Sequence, residues 1–384
     1  MRPESRDLAD QVLTYIGRFS DIEAYAEAPD REGRASEADA RFNELALQLF
    51  AYQFKHIPAY RKYAQARRKS PLTVRSWQEI PPLPIQAFKE LTLSCEPEGE
   101  AEAVFMTSGT TQADKRGKHY HPTLEVWDAS MAPPFKRYVL PDREKMTILV
   151  LSPAEDVNRN SSLSRYLSRA VELFGEADSR LFFSPEDGID LSAVLTALQE
   201  REANGGPVLL MGATFAYVHL LDACEEQGKQ IRLPEGSRIF DTGGLKGQAR
   251  EISPEELYAG LERHLGVKRE DCVNMYGMTE LSSQLYDRNI RSRFLTGESV
   301  YEKAGGPWIR TLVLHPETLE PVADGERGVL AHYDMASWNS AFAILTEDMG
   351  YRTERGLVLL GRVKGSEARG CSIAVDQLMT ASRR

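Results

Sequence analysis

The stretch "SRIFDTGGLKGQAREISPEELYAGLERHLGVKREDCVNMYGMTEL", residues 237–281, decides the fold class. A short apolar run ends in Thr242-Gly243-Gly244, an amphipathic segment with a Ser-Pro-Glu-Glu start follows, and a second apolar run ends in Tyr276-Gly277. Strand, glycine-bearing loop, helix and strand in that order form the repeating unit of a parallel sheet. The same alternation surrounds it. "MTILVLS" precedes "NSSLSRYLSRAVELF", "PVLLMGAT" precedes "FAYVHLLDACEE", and "CVNMYG" precedes "MTELSSQLY", while "AVFMTS" opens into a polar loop. An α/β fold with a largely parallel sheet is predicted. Four strand ends carry small or polar residues: Ser108-Gly109-Thr110, Gly212-Ala213-Thr214, Thr242-Gly243-Gly244 and Tyr276-Gly277. Open parallel sheets bind ligands at the carboxyl ends of their strands, so these ends predict a site.

Outside this core the pattern changes. "DLADQVLTYIGRFSD" and "SEADARFNELALQLFAYQF" have helical spacing, and the prolines of "IPPLPIQAFKEL" read as an extended connector. Beyond residue 300, "IRTLVLHP", "RGVLAHYD" and "LVLLGR" read as antiparallel strands. The divisions expected are a helical part at 1–100, an α/β core at 101–300, a β-rich part at 301–362 and a tail at 363–384.

The 384 residues are 42% hydrophobic and 27% charged, with a net charge of -10, which argues against a nucleic-acid partner. The basic stretch "KHIPAYRKYAQARRK" (55–69) reads as a solvated helix face rather than a docking patch. No secretory signal and no membrane span is apparent. Cys95, Cys224, Cys272 and Cys371 lie far apart without a CxxC pair, and read as reduced thiols of a cytoplasmic protein.

The loop "MTSGTTQADKRGK" (106–118) sets four hydroxyls around Gly109 and adds Lys115. Backbone N–H groups, hydroxyls and a lysine suit a phosphate, and a polar turn fits the loop alone equally well. "TSGTTQADK" resembles the TSGTTGxPK signature of the adenylate-forming superfamily, with Thr107, Ser108, Gly109, Thr110, Thr111 and Lys115 in register, and Gln112 and Asp114 departing from it. "MYGMTEL" (275–281) resembles the superfamily's YGxTE motif, and "TEDMGYRTERGLVLLGR" (346–362) resembles its TGDxG…GR stretch with Glu347 in place of glycine. "HIPAYRKYAQ…SWQEIPPLPIQAFKEL" is similar to the front of phenylacetate–CoA ligases and of the acyl-protein synthetases (the LuxE family).

The resemblance implies the large-domain fold of adenylate-forming enzymes: mixed and parallel sheets flanked by helices, a smaller β region, and a C-terminal domain reduced to a short tail. It implies ATP and Mg2+ as cofactors. Tyr276 would stack on adenine beside Gly277, Thr279 would contact the α-phosphate, Glu280 would hold magnesium, Asp348 would hold the ribose hydroxyls, and Arg362 would sit close to the nucleotide. Gly243 and Gly244 would flank adenine and the acyl pocket, to which Gly212–Tyr217 would also contribute.

The implied reaction joins a carboxylic acid to AMP. The related ligases carry a further domain with a catalytic lysine after the GR motif, where 22 residues (363–384) follow Arg362 here. Lys364, Lys246 and Arg352 are the candidates to replace that lysine. The acyl-protein synthetases pass the acyl group to a cysteine near the C-terminus and then to a partner reductase, and "EARGCSIAV" resembles that segment, with Cys371 as nucleophile. Arg362, Lys364 and Arg369 nearby favour a thiolate, and a packed terminal strand is the competing reading of the same residues. Transfer to coenzyme A, a carrier protein or an amine, and a catalytically inactive scaffold, are the alternative functions. His119 and His121, two residues apart without a third ligand, read as loop residues near the phosphate or acyl site rather than a metal site.

Overall fold

A computed structural model describes residues 1–21, 31–107, 116–243, 249–362, 374 and 378, with only the backbone considered at 31–34. The chain divides into two compact units, one made of 1–133, 278–284 and 302–384, the other of 134–277 and 285–301.

The second unit is built on parallel strands. Arg180–Leu181, Thr147–Leu151, Val208–Ala213, Arg238–Thr242 and Cys272–Tyr276 lie side by side in that order, all parallel, and Leu285–Asp287 pairs antiparallel with Cys272–Tyr276. The three central strands are buried at every position, as strands covered on both faces must be. Helices Ser162–Phe174, Leu191–Asn204, Thr214–Glu226 and Pro254–Leu265 run between strands, so the alternation expected of an α/β chain is the one observed. Local chemistry sets their ends. Ser253 and Glu256 form a reciprocal capping box with Pro254 in the first turn, and Gly266 ends that helix with φ 71°. Asp190 caps Leu191–Asn204 by accepting from the Ala193 N–H at 2.9 Å. Leu210, Leu220, Leu221, Leu261 and Leu265 join one apolar core.

The first unit begins with helices Pro3–Phe19, Arg31–His56 and Pro58–Ala66. On the last of these Tyr60, Tyr63 and Ala64 are buried, so the basic stretch carries a core face as well as a solvated one. Strands Ile309–Leu314, Gly328–Asp334, Ala343–Thr353 and Gly356–Arg362 form an antiparallel meander, and Lys303–Ala304 pairs with the last. Leu83–Pro84, the proline connector, adds to Ala343–Thr353 as a short parallel strand. The antiparallel character expected beyond residue 300 is therefore present.

Three sequence expectations change. "AVFMTS" does not join the parallel sheet: Ala103–Met106 pairs antiparallel with Lys118–His121 as a separate hairpin. His119 and His121 are accordingly strand residues, both buried, and not loop residues. "MTELSSQLY" is not a helix either. Residues 277–284 connect Tyr276 to its partner Leu285 as an irregular loop, because side chains of the first unit take the backbone groups that a helix would have paired internally.

Among the described residues no helix is long and apolar enough to cross a membrane.

Candidate active site

The hairpin of Ala103–Met106 and Lys118–His121 is closed at its neck by Thr107 and Gly117. The Thr107 N–H donates to the Gly117 carbonyl, and the Gly117 N–H donates to Thr107 Oγ1, each at 2.9 Å. A Cβ at Gly117 would lie 3.1 Å from Thr107 Cγ2 and 3.3 Å from Phe88 Cβ, so glycine is what lets the two strands meet there. Ser108, Gly109, Thr110, Thr111 and Lys115 lie outside the described residues, as do Gly244, Lys246, Lys364 and Cys371.

In the parallel unit, three of the expected strand ends lie on adjacent strands at the same edge: Ala213-Thr214, Thr242-Gly243 and Tyr276-Gly277. They are tied together by hydrogen bonds. Thr242 Oγ1 donates to the Met275 carbonyl at 2.9 Å, and Thr214 Oγ1 lies 3.3 Å from the Thr242 carbonyl and 3.2 Å from that of Gly243. Gly243 has φ 72°, a left-handed conformation that a side chain would strain. Beneath them Asp241, 2% exposed, accepts from Tyr258 Oη at 2.9 Å and Asn274 Nδ2 at 3.1 Å. Tyr276 itself is half-buried. Gly212 and Tyr217 pack against the core of this unit. A Cβ on Gly212 would meet Leu151, and Tyr217 is a core residue whose hydroxyl donates to the Leu210 and Phe240 carbonyls.

Thr279 and Glu280 sit in the first unit, on the loop 278–284. Thr279 is half-buried and Glu280 is buried. The Thr279 carbonyl lies 2.9 Å from His119 Nδ1. Burial lowers the pKa of His119 to about 4 and that of His121 well below the ordinary value, so both rings are neutral near pH 7. Farther along the loop, Asp334 accepts from the backbone N–H groups of Ser282 and Ser283 at 3.0 and 2.9 Å, and from Ser283 Oγ at 2.7 Å. Neither His119 nor Asp334 is marked by any of the sequence signatures. An aspartate ending the apolar run of Gly328–Asp334 was the available signal for the second.

Asp348 and Arg362 are brought together. They are paired positions on neighbouring antiparallel strands, Asp348 half-buried and Arg362 exposed, and Arg362 makes no ion pair among the described residues. Arg352, a candidate for the missing lysine, is half-buried with its Nε 3.4 Å from Asp324 Oδ1. Among the described residues no cluster of three His, Cys, Asp or Glu side chains could cage a metal ion.

The three described cysteines are poor nucleophiles. Cys95, Cys224 and Cys272 are free and buried, and burial raises the pKa of each thiol.

Residues 32–380 match the family model described as acyl-protein synthetase, LuxE. The chain belongs to that family. The acyl-protein synthetase relatives include a long-chain-fatty-acid–luciferin-component ligase of Vibrio harveyi, 23% identical over 350 residues and spanning 88% of both chains. Another, of the same description from Aliivibrio fischeri, is 22% identical over 80% of this chain and 78% of its own. Among solved structures, an open conformation of 2-hydroxyisobutyryl-CoA ligase superposes with a TM-score of 0.64 at 17% identity, covering 89% of this chain and 80% of the other. At that identity the likeness establishes a shared fold, the one that the sequence resemblance implied.

Proposed function

We propose that the protein activates a long-chain carboxylic acid with ATP and carries the acyl group as a thioester on Cys371 for delivery to an acyl-accepting protein, such as a reductase or carrier. The observation that carries this reading is that Thr279 and Glu280 lie on a loop held by buried side chains, directly after the half-buried Tyr276 at the carboxyl end of a parallel strand. The names of the two bacterial relatives support a long-chain fatty acid as the substrate class.

In the first step the acid's carboxylate oxygen attacks the α-phosphorus of ATP. A new P–O bond forms, the bond to the β-phosphate bridging oxygen breaks, and pyrophosphate leaves with the electron pair. The acid is already ionised at neutral pH, so no general base is required. What the protein must do is orient the two reactants and offset charge on the phosphate oxygens. Thr107, Ser108, Gly109, Thr110, Thr111 and Lys115 would surround the phosphates, Thr279 would contact the α-phosphate, and Tyr276, Gly243 and Gly244 would bound the adenine. Asp348 would accept hydrogen bonds from the ribose, with Arg362 beside it. Magnesium, when bound with the nucleotide, would neutralise phosphate charge next to Glu280.

In the second step the Cys371 thiolate attacks the acyl carbon, the C–O bond to AMP breaks, and AMP departs with the electron pair. The buried, raised-pKa state of the other three cysteines supports Cys371 as the acceptor.

Intact mass after incubation with ATP and a panel of fatty acids tests both steps. Wild type should gain the mass of one acyl group, lost on hydroxylamine treatment, whereas Cys371→Ser should exchange pyrophosphate but gain nothing. Active pyrophosphate exchange with an unmodified wild type would overturn the thioester step. Absence of exchange with every acid would overturn the adenylation step.

A further inference from the structure

We propose that Asp334 and His119 are positioning residues that hold loop 278–284 in the shape required to present Thr279 and Glu280; the proposal rests on the adenylation reading above.

The loop needs such an anchor. Eight residues, 277–284, join two strands that are paired at Tyr276 and Leu285, and a connection of that length has no hairpin geometry of its own. Its shape is imposed from outside. Asp334 is completely buried and takes five hydrogen-bond donors. Oδ2 accepts from the Ser282 N–H at 3.0 Å, the Ser283 N–H at 2.9 Å and Ser337 Oγ at 3.3 Å. Oδ1 accepts from Ser283 Oγ at 2.7 Å and the Ala336 N–H at 3.0 Å. Burial raises the pKa of Asp334 above the usual carboxylate value, and the hydrogen bonds from Ser283, Ala336 and Ser282 oppose that rise only in part. The three backbone N–H groups can only donate, so the carboxyl oxygens hold them in any protonation state. No Lys, Arg or His among the described residues forms an ion pair with it.

A buried carboxyl group without a counter-ion is a poor device for stability alone. It is a good device for geometry, because two consecutive N–H groups directed at one carboxyl group fix the orientation of two successive peptide planes. The far side of the same turn is secured too. Gln284 Nε2 donates to the Ser282 carbonyl at 2.9 Å, and Ser130 Oγ lies 3.2 Å from it.

His119 fixes the near side. A carbonyl oxygen can only accept, so His119 Nδ1, 2.9 Å from the Thr279 carbonyl, carries the hydrogen. The ring is held by the strand pairing of His119 with Phe105, by the edge of Phe88 at 5.7 Å and by His121 at 4.2 Å between centroids. The Thr279 carbonyl and the Glu280 N–H belong to one trans peptide plane and point in opposite directions. Directing the carbonyl at His119 therefore turns the Glu280 N–H to the opposite side, and sets where the Thr279 and Glu280 side chains begin.

The test combines amide hydrogen exchange across 278–284 with pyrophosphate-exchange kinetics and melting curves. Asp334→Asn puts an N–H2 group against donors. It should speed exchange at Ser282 and Ser283 and lower kcat by about 10–100-fold, the usual loss when a supporting partner is removed, with KM for the acid nearly unchanged. His119→Asn can retain a donor at the Nδ1 position and should keep most of the activity, whereas His119→Leu should not. Ser283→Ala, which removes one donor and leaves the backbone N–H groups in place, gives an intermediate effect and substitutes for Asp334→Asn should that variant fail to fold. Unchanged amide protection and unchanged kcat in the Asp334 or Ser283 variant would overturn the proposal, as would equal losses in both His119 variants. A wild type inactive with every acid would overturn the adenylation reading instead, and the amide exchange would still decide the anchor.

Discussion

Asp348 stands opposite Arg362 because the hairpin that carries them contains one extra residue. From Thr353–Gly356 up to Gly350–Leu359 the strands Ala343–Thr353 and Gly356–Arg362 pair regularly, and the register then shifts so that Met349 meets Gly361 and Asp348 meets Arg362. Leu360 is the residue left without a partner, and it is 44% exposed. An unbroken ladder would have set Gly361 opposite Asp348. Bulges are a common means of aiming side chains beside a site.

Asp348→Asn should raise KM for ATP about 10–100-fold, the range expected when hydrogen bonds to a charged group are weakened, and should leave KM for the acid within about twofold. Arg362→Ala should act in the same direction. Steady-state pyrophosphate exchange separates the two constants. Equal effects on both substrates would remove Asp348 from the nucleotide side of the site.

Stability should decline as pH falls below neutrality, from the buried histidines. Burial lowers His119 to about 4 and His332 to about 3, and pushes His121 well below its ordinary value. Unfolding restores each to about 6.5, so below that pH the unfolded chain takes up protons that the folded chain refuses. The full contribution is present above about pH 6.5 and is lost as pH falls toward the folded values, at about 1.4 kcal/mol per pH unit for each histidine. Denaturant midpoints from pH 7.5 to 5 measure this, and His332→Gln should flatten the slope. An unchanged slope in that variant would rule out His332 as a contributor.

Arg238 is 5% exposed, with Nη1 donating to the Val139 carbonyl at 2.6 Å and Nη2 to Asp142 Oδ1 at 2.7 Å. Burial alone would raise the pKa of Asp142, but hydrogen bonds from Arg143 and Arg238 hold it down to about 2. Arg238→Met should cost about 2–3 kcal/mol, below the usual figure for breaking a buried pair because Asp142 keeps Arg143. Equilibrium denaturation reads the loss. A change under 0.5 kcal/mol, about the scatter of surface substitutions, would contradict the assignment.

Two glycines should respond to alanine with opposite signs. A Cβ on Gly328 would lie 2.2 Å from the Leu314 carbonyl oxygen, so Gly328→Ala should cost about 1–3 kcal/mol through forced strand separation. Gly17 is exposed inside helix Pro3–Phe19 with nothing within 4 Å of a Cβ, so Gly17→Ala should stabilise by about 0.5–1 kcal/mol. Melting temperatures of the pair provide the check.

What the sequence by itself determined is local. The parallel strands at 147–151, 208–213, 238–242 and 272–276 announce themselves as short apolar runs, and the helices between them as amphipathic segments with caps, because strand and helix periods and capping chemistry act over a few residues. The signatures in their order likewise resembled those of the adenylate-forming superfamily, and "HIPAYRKYAQ…SWQEIPPLPIQAFKEL" and "EARGCSIAV" resembled its acyl-protein synthetases. Tertiary structure alone decided the rest. "AVFMTS" looks like any buried strand, and only its pairing with Lys118–His121 made it a hairpin and buried two histidines. "MTELSSQLY" has helical spacing, yet its N–H and carbonyl groups are taken by Asp334 and His119, which lie 52 and 160 positions away from the residues they hold, Ser282 and Thr279. A buried carboxyl group supplied from that distance outweighs local propensity, since backbone groups go to whichever partners satisfy them best once water is excluded. No window of sequence contains that information.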